Sequence, residues 1–178
     1  VLPFTFIEFY YAPWLEAQRQ RRAPRELPPG TRDHVLITKA DTVALALVER
    51  LRAHRWPYWV LEPDLNRALQ LYDQNIQVVV GAQHSQETYR KLRVEDASMI
   101  VATSDDYMNT SIAFTVRELD TEVPIVAFAR SEDSFDVLEL AGASHVLKLT
   151  DMLGQSLARR SVAGDIRANI IGRFGELV

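Results

Sequence analysis

Residues 34–62 read HVLITKADTVALALVERLRAHRWPYWVLE, and this stretch decides the fold. It opens with one apolar run, His34–Thr38, and closes with another, Tyr58–Glu62, each of strand length. Between them an apolar stripe recurs at the spacing of one helix face, at Ala44, Leu47, Val48 and Leu51. A strand, an amphipathic helix and a second strand in so few residues predict a βαβ unit with parallel strands.

The same alternation continues along the chain. Further strands are predicted at Ile76–Val80, Ala97–Ala102, Pro124–Phe128 and Ser144–Leu147. Helical stripes lie between them, at residues 65–72, 108–119 and 138–141. Several strands are almost wholly apolar, as expected where helices cover both faces of a parallel sheet. The sequence therefore predicts an α/β fold, a Rossmann-like doubly wound parallel sheet.

The two ends differ from this body. Residues 1–18 are aromatic and apolar but too short to span a bilayer, which needs roughly 20 apolar residues. Residues 19–33 are rich in arginine and proline. Aromatic residues followed by arginines are typical of a membrane exit, so residues 1–33 are predicted to be the end of a pore helix and a cytoplasmic linker in a longer protein. An arm that packs on its own domain or on a neighbouring subunit is the alternative.

A last helix is predicted from near Asp151, followed by a second apolar set within residues 166–174. A six-stranded domain already has a core, so this helix is expected to bury its stripe on another copy of the domain. Folding back on its own sheet is an equal alternative from the pattern alone.

Composition excludes several functions. The chain has 178 residues, a net charge of −4 and no cysteine. The charge gives no reason to expect nucleic acid binding, and the missing thiols exclude disulfides and cysteine-ligated zinc. The four histidines, His34, His54, His84 and His145, lack metal-ligand spacing and receive no role.

Ligands of open α/β sheets bind beyond the carboxyl ends of the strands, where the strand order reverses. A dinucleotide fingerprint would place glycines after the first strand, whereas Lys39, Asp41 and Ala44 stand there. Glu62, at the end of the second strand, occupies the place of an acid that binds a ribose hydroxyl; a solvent-exposed acid is the alternative. The predicted cleft-lining residues are Asp41, Thr42, Glu62, Gln83, Ser104 and Asp105, with Lys39 and Arg130 as phosphate contacts.

Several stretches together resemble the TrkA-N family, also called RCK (regulator of potassium conductance) domains, over residues 34–148. The matching segments are His34–Ile37, Val79–Gly81, Tyr89–Ala97, Ile100–Asp106 with Asn109, Val123–Ala127 and Leu140–Val146. The resemblance implies that residues 149–178 are a crossover helix that mediates dimerisation and the start of a smaller C-terminal lobe. Gly81-Ala82-Gln83 departs from the family, which usually has an acid after this glycine.

The resemblance also implies a function. Such domains form dimers and rings beneath the pore of a potassium channel in the cell inner membrane, on its cytoplasmic side, and they are not enzymes. We therefore expect a regulatory domain that senses a nucleotide or an ion and acts on its own pore, which carries potassium. Classical NAD binding is doubtful without the glycines, and a mononucleotide, an ion or no ligand stay open. The alternatives are a ligand-free ring-forming domain and an NAD-dependent oxidoreductase.

Overall fold

The computed structural model describes residues 24–119 and 122–162, and its centre is one six-stranded parallel sheet in the order β3-β2-β1-β4-β5-β6. The strands are β1 (His34–Ile37), β2 (Tyr58–Glu62), β3 (Val78–Val80), β4 (Ala97–Ala102), β5 (Ile125–Ala129) and β6 (His145–Lys148). This order confirms the Rossmann-like prediction. The order reverses between β1 and β4, which places the switch point at the centre of the sheet.

Six helices within the described residues connect or follow the strands. They are α1 (Thr42–Ala53), α2 (Leu65–Asp73), α3 (Gln86–Lys91), α4 (Asp106–Arg117), α5 (Ser134–Leu140) and α6 (Leu149–Val162), and a 3₁₀ turn covers Val94–Asp96. The first four helices begin where a side chain accepts a backbone N–H three residues on: at Asp41, Asp64, Ser85 and Asp105. Helix α3 was not predicted, because it is short and buries only Tyr89, so it shows no apolar stripe.

Two helices end in the same left-handed motif without glycine. The N–H of Trp56 donates to the carbonyl of Leu51, with Arg55 between them at φ 56°. Asn75, at φ 59°, ends α2 in the same way. In this Schellman arrangement the left-handed residue turns the chain toward the next strand and satisfies the last helical carbonyls.

The core lies in two layers. Val35, Ile37 and Val60 face α1 and α2, which bury Ala44, Val48, Ala68 and Leu71 on that side. Leu36, Leu61 and Ile100 face the other layer, where α3, α4 and α5 bury Tyr89, Leu92, Ile112, Val116 and Leu138. Successive side chains of a strand point to opposite faces, so continuous apolar strands fill both layers.

Residues 24–33, the described part of the predicted linker, pack along the domain. The carbonyl of Pro24 accepts the N–H of Val80 at the edge of the sheet (2.9 Å). Leu27 is 6% exposed and joins the layer that contains Tyr89. The linker therefore contributes to the core before it enters β1.

Helix α6 begins at Leu149, two residues before the predicted start, and its apolar side chains are exposed. Met152, Leu153 and Leu157 each expose about half of their surface or more. Within the described residues this stripe does not return to the sheet. Residues 1–23 and the apolar set at 166–174 lie outside the described residues, as does the predicted start of a C-terminal lobe. No helix within residues 24–119 and 122–162 is long and apolar enough to cross a membrane.

Candidate functional site

A cleft of about 240 Å³ opens at the carboxyl edge of the sheet, by which we mean the edge where the parallel strands end. It lies where β1, β4 and β5 end, at the reversal of strand order. Its polar wall contains three of the predicted residues, Asp41, Ser104 and Arg130. Phe128 and Leu149, from the end of β5 and the start of α6, add an apolar wall.

The loop from β1 to α1 forms one side of the cleft. The Oδ1 atom of Asp41 accepts the backbone N–H of Ala44 at 2.7 Å, and the backbone of Asp41 is extended (φ −108°). Among the described residues, left-handed non-glycine backbone occurs at Asp33, Arg55, Asn75 and Arg93, outside this loop. The loop thus avoids the strain expected where glycines are replaced, and a carboxylate occupies the anion position at the start of α1.

The remaining positions of this loop differ in exposure. Ala44 is fully buried, so the helix packs closely on the sheet, as it does where a fingerprint ends in Gly or Ala. Lys39 is partly buried and Thr42 is exposed at the first position of α1. The backbone carbonyl of Lys39 accepts the hydroxyl of Thr103 (3.1 Å), which ties the loop to the end of β4.

Glu62 is a buried acid at the end of β2, with 3% of its surface exposed. Its Oε1 accepts the N–H of Asp64 at 3.3 Å, and its Oε2 lies 3.4 Å from Nε of Arg67 without a hydrogen bond. The same guanidinium donates through Nη2 to the carbonyl of Ala40. The exposed-acid alternative is therefore wrong. Arg67 joins the predicted ribose-binding acid to the β1–α1 loop.

Gln83 braces the ends of three strands. Its side-chain amide nitrogen donates to the backbone carbonyl of Thr38 and to Oγ of Ser104 (2.9 Å), and the backbone carbonyl of Gln83 accepts the Tyr89 hydroxyl at 2.7 Å. Thr38, Gln83 and Ser104 are all buried. The Thr38 hydroxyl has no hydrogen-bond partner among the described residues. The side chain of Gln83 thus links β1 to β4 beneath the cleft.

The start of α4 fixes the loops on the other side. Asn109 is fully buried; its Oδ1 accepts the N–H of Ser104 (2.9 Å) and its Nδ2 donates to the carbonyl of Phe128 (2.8 Å). Asp105 is exposed and caps α4 by accepting the N–H of Met108 at 2.9 Å. The N-cap interpretation of Asp105 is therefore the one the structure shows.

Asp106 holds the loop that carries Arg130. Its two carboxylate oxygens accept the N–H groups of Arg130 (2.8 Å) and Ser131 (3.0 Å). Partial burial raises the pKa of Asp106, but these N–H groups and the hydroxyls of Ser134 and Ser131 outweigh it and hold the pKa below its ordinary value. The Arg130 side chain is left exposed at the mouth of the cleft.

Sequence reasoning missed the residues that act between elements. Arg67 follows Glu62 by five residues across a strand–helix turn, a spacing that could have suggested the pair. Asn109 was named in the sequence only as part of the family resemblance, and the helical pattern alone gave it no role. No group of three or more His, Cys, Asp or Glu side chains in the described ranges could hold a metal ion.

A six-stranded sheet in this order, with a cleft at its switch point and a buried acid at the end of the neighbouring strand β2, defines a Rossmann-like domain of the nucleotide-binding type. The chain belongs to the TrkA-N domain family, which matches residues 35–149. This confirms the family predicted from the sequence.

Two potassium channel proteins are similar to this chain in sequence. The chain is 24% identical over 165 residues to Potassium channel protein 1 of Methanocaldococcus jannaschii, covering 90% of this chain and 48% of the relative. The chain thus spans about half the length of that curated relative.

Solved structures of the GsuK channel are also similar. The GsuK channel bound to NAD is 34% identical with a TM-score of 0.74, and the match covers 88% of this chain and 28% of that one. GsuK bound to ADP has the same identity and TM-score, with 89% and 42% of the two chains covered. The RCK domain of GsuK is similar too, at 33% identity with a TM-score of 0.72 over 82% of this chain and 32% of that one.

Proposed function

We propose that this chain is the cytoplasmic gating domain of an inner-membrane potassium channel and that it binds a nucleotide at the carboxyl edge of its sheet. The observation that carries the proposal is Glu62, a buried acid at the end of β2 whose Oε2 lacks a hydrogen bond among the described residues. Arg67 pairs with this oxygen at 3.4 Å, but the oxygen still lacks a hydrogen-bond donor, and burial of a carboxylate oxygen without one is costly. A ribose hydroxyl would supply this donor, as in Rossmann folds.

The rest of the edge suggests a mononucleotide. A diphosphate at the start of α1 meets the carboxylate of Asp41, which already accepts the Ala44 N–H. Lys39 and Arg130 offer positive charge on the two sides of that position. A nucleotide with its ribose at Glu62 places its phosphates beside Asp41, where these two cations offset the carboxylate charge, and ADP and NAD share this requirement. ADP, which one similar structure contains, is our preferred ligand because it needs no second nucleoside site beyond these residues, and NAD, which another similar structure contains, is the alternative.

Exposed apolar side chains support a homo-oligomer. The stripe on α6 is described above, and a second surface carries Tyr107 and Phe114 of α4 beside Val137 and Leu140 of α5. Apolar patches of this kind mark protein–protein contacts. We infer that copies pair through α6 and assemble further through α4 and α5.

The linker provides the path to the pore. Because Leu27 is part of the core, a change in how paired domains sit would be transmitted to residues before Pro24. A ligand can shift this equilibrium only if it binds the open and closed assemblies with different affinity.

A ligand-free ring domain is the second candidate, and Asp41 favours it because a carboxylate replaces the ligand phosphate at α1. We propose that the domain is not an enzyme. An NAD-dependent oxidoreductase is the less favoured third candidate, and turnover in a hydride-transfer assay would establish it.

Isothermal titration calorimetry of the chain with ADP, AMP, ATP, NAD and NADH tests the proposal. We expect ADP to bind, and Glu62→Gln to weaken it by roughly 10-fold because a charge-assisted hydrogen bond is lost. Glu95→Gln, at an exposed acid of the 3₁₀ turn, is the matched control and should change nothing. If none of the five ligands gives binding heat, the result contradicts a nucleotide sensor and favours the ligand-free ring domain.

Lys39→Ala tests the phosphate contact separately. The affinity of this variant for ADP should fall clearly, because one charge-assisted contact to the phosphates is lost. Unchanged affinity removes Lys39 from the site but leaves the role of Glu62 intact.

A further inference from the structure

A second groove lies at the opposite end of the sheet, where β2 begins. It has a volume of about 520 Å³ and is formed by the end of α1, the start of β2 and the end of α2. Arg52, Arg55 and Trp56 are among its lining residues. A smaller groove of about 270 Å³ continues from it through Trp59 and contains Tyr72 and Pro24. We call the two together the basic aromatic groove.

The groove has the composition of a membrane-contacting surface. Arg50, Arg52 and Arg55 fall within residues 50–56, a stretch that contains no acidic residue. Trp56 and Tyr72 are each 51% exposed. Arginine attracts anionic headgroups, and tryptophan and tyrosine favour the depth of those headgroups, where one part of the ring is apolar and the other is hydrated.

The position of the linker matches this composition. Pro24 lines the groove and is fixed to the sheet edge through Val80, so the chain reaches the domain at this surface. Residues 19–22, just before it, carry three more arginines. If the preceding residues leave a membrane as proposed above, the groove is the part of the domain brought nearest to the bilayer.

We propose that the basic aromatic groove docks on the phosphodiester headgroups of an anionic bilayer and so holds the domain against the membrane. The guanidinium groups of Arg52 and Arg55 contact headgroup phosphates, and the ring of Trp56 lies at headgroup depth. This docking rests on the proposed channel function, because it requires a linker that begins at the membrane.

Co-sedimentation of the 178-residue chain with vesicles tests the proposal. We compare phosphatidylcholine vesicles with vesicles in which one third of the lipid is phosphatidylglycerol. The variant is Arg52→Gln with Arg55→Gly, because glycine suits the left-handed backbone at position 55. The control, Arg90→Gln with Lys91→Gln, removes the same charge at two exposed residues of α3. Residues 1–23 are unchanged in all chains, so any vesicle affinity of their own cancels when the affinity of a variant is divided by that of the unaltered chain.

We expect the groove variant to bind anionic vesicles about 10- to 30-fold less tightly, from two arginines near the surface. The control should keep at least half of the original binding, and Trp56→Ser should lose several-fold. Equal losses in both double variants would overturn the proposal, because net charge alone would then explain binding. Unchanged binding of the groove variant, or abolition of binding by millimolar inorganic phosphate, would overturn it too, pointing to the linker alone or to a soluble anion.

Failure here is distinguishable from failure of the proposed function. Arg52 and Arg55 lie at the opposite end of β2 from Glu62, so the groove variant should bind ADP like the unaltered chain. If the groove variant and the control bind vesicles equally while ADP still binds, only the docking proposal is refuted. If ADP gives no binding heat while the groove variant still binds vesicles less tightly than the control, only nucleotide sensing is refuted.

Discussion

Replacing Leu27 by alanine tests whether the linker is part of the folded domain. Leu27 is 6% exposed and packs in the layer that contains Tyr89 and Leu92. Its backbone N–H also donates to the carbonyl of Lys91 (3.2 Å), and alanine keeps this bond. The substitution therefore removes side-chain packing and little else.

Burial sets the magnitude. Leucine-to-alanine changes in cores cost about 2–5 kcal/mol, as the sum of lost transfer free energy and the cavity left behind. Leu27 lies at the margin of the core, where the linker can partly collapse into the space. We therefore expect a loss of about 2–3 kcal/mol in the free energy of unfolding.

Urea denaturation followed by far-ultraviolet circular dichroism measures this loss. The urea concentration at the midpoint should fall, while the slope of the unfolding free energy against urea concentration should stay the same, because the surface exposed on unfolding hardly changes. Glu26→Ala, one residue away and exposed, is the control and should stay within about 0.5 kcal/mol of the unaltered chain. If Leu27→Ala is as stable as this control, the linker is not anchored in the core, and the proposed transmission path fails.

Three further outcomes are expected. Burial lowers the pKa of His34 more than its hydrogen bond to a backbone carbonyl raises it. The unfolded chain therefore binds more protons than the folded one, and the free energy of unfolding should fall as the pH drops below about 6.5. In urea titrations at pH 5 to 7.5, His34→Gln should flatten this pH dependence, and the exposed His84→Gln should not. Arg55→Gly should raise the unfolding free energy by about 0.5–1 kcal/mol, because the backbone of Arg55 is in the left-handed conformation, which costs less for glycine. A lower thermal midpoint would show that this backbone is not strained. Asn109→Ala should cost about 2–4 kcal/mol, since it leaves buried backbone groups of two strand ends unpaired, whereas a loss within 0.5 kcal/mol would show that water replaces the amide.

The fold could be predicted because its signal is local. The apolar runs at β1 and β2 and the stripe of α1 determine a βαβ unit by themselves, and repetition extends it to six strands. The boundaries were less accurate: β3 was predicted from Ile76 but begins at Val78, and β5 begins at Ile125, after Pro124. Proline has no N–H to donate to a neighbouring strand, so it is poorly suited to a central strand.

The site was predictable only in part, because its contacts join residues distant in sequence. Asp41 and Ser104 line the cleft beyond two strand ends, and their positions in the sequence were enough to suggest them as site residues. The pairing of Glu62 with Arg67, and the brace from Gln83 to the end of β4, depend on how neighbouring turns are oriented. Side-chain orientation in turns has no periodic pattern in sequence, so the partners of these groups appear only in three dimensions.

The central claim is that a nucleotide at the carboxyl edge changes pore opening. Potassium flux through the full-length protein in lipid vesicles, with and without ADP on the side of this domain, measures it most directly. Our account predicts that ADP changes the flux and that Glu62→Gln shifts this response to about 10-fold higher ADP while leaving the flux without ADP unchanged. An ADP response identical in the Glu62→Gln protein, or no potassium flux at all, would contradict the account.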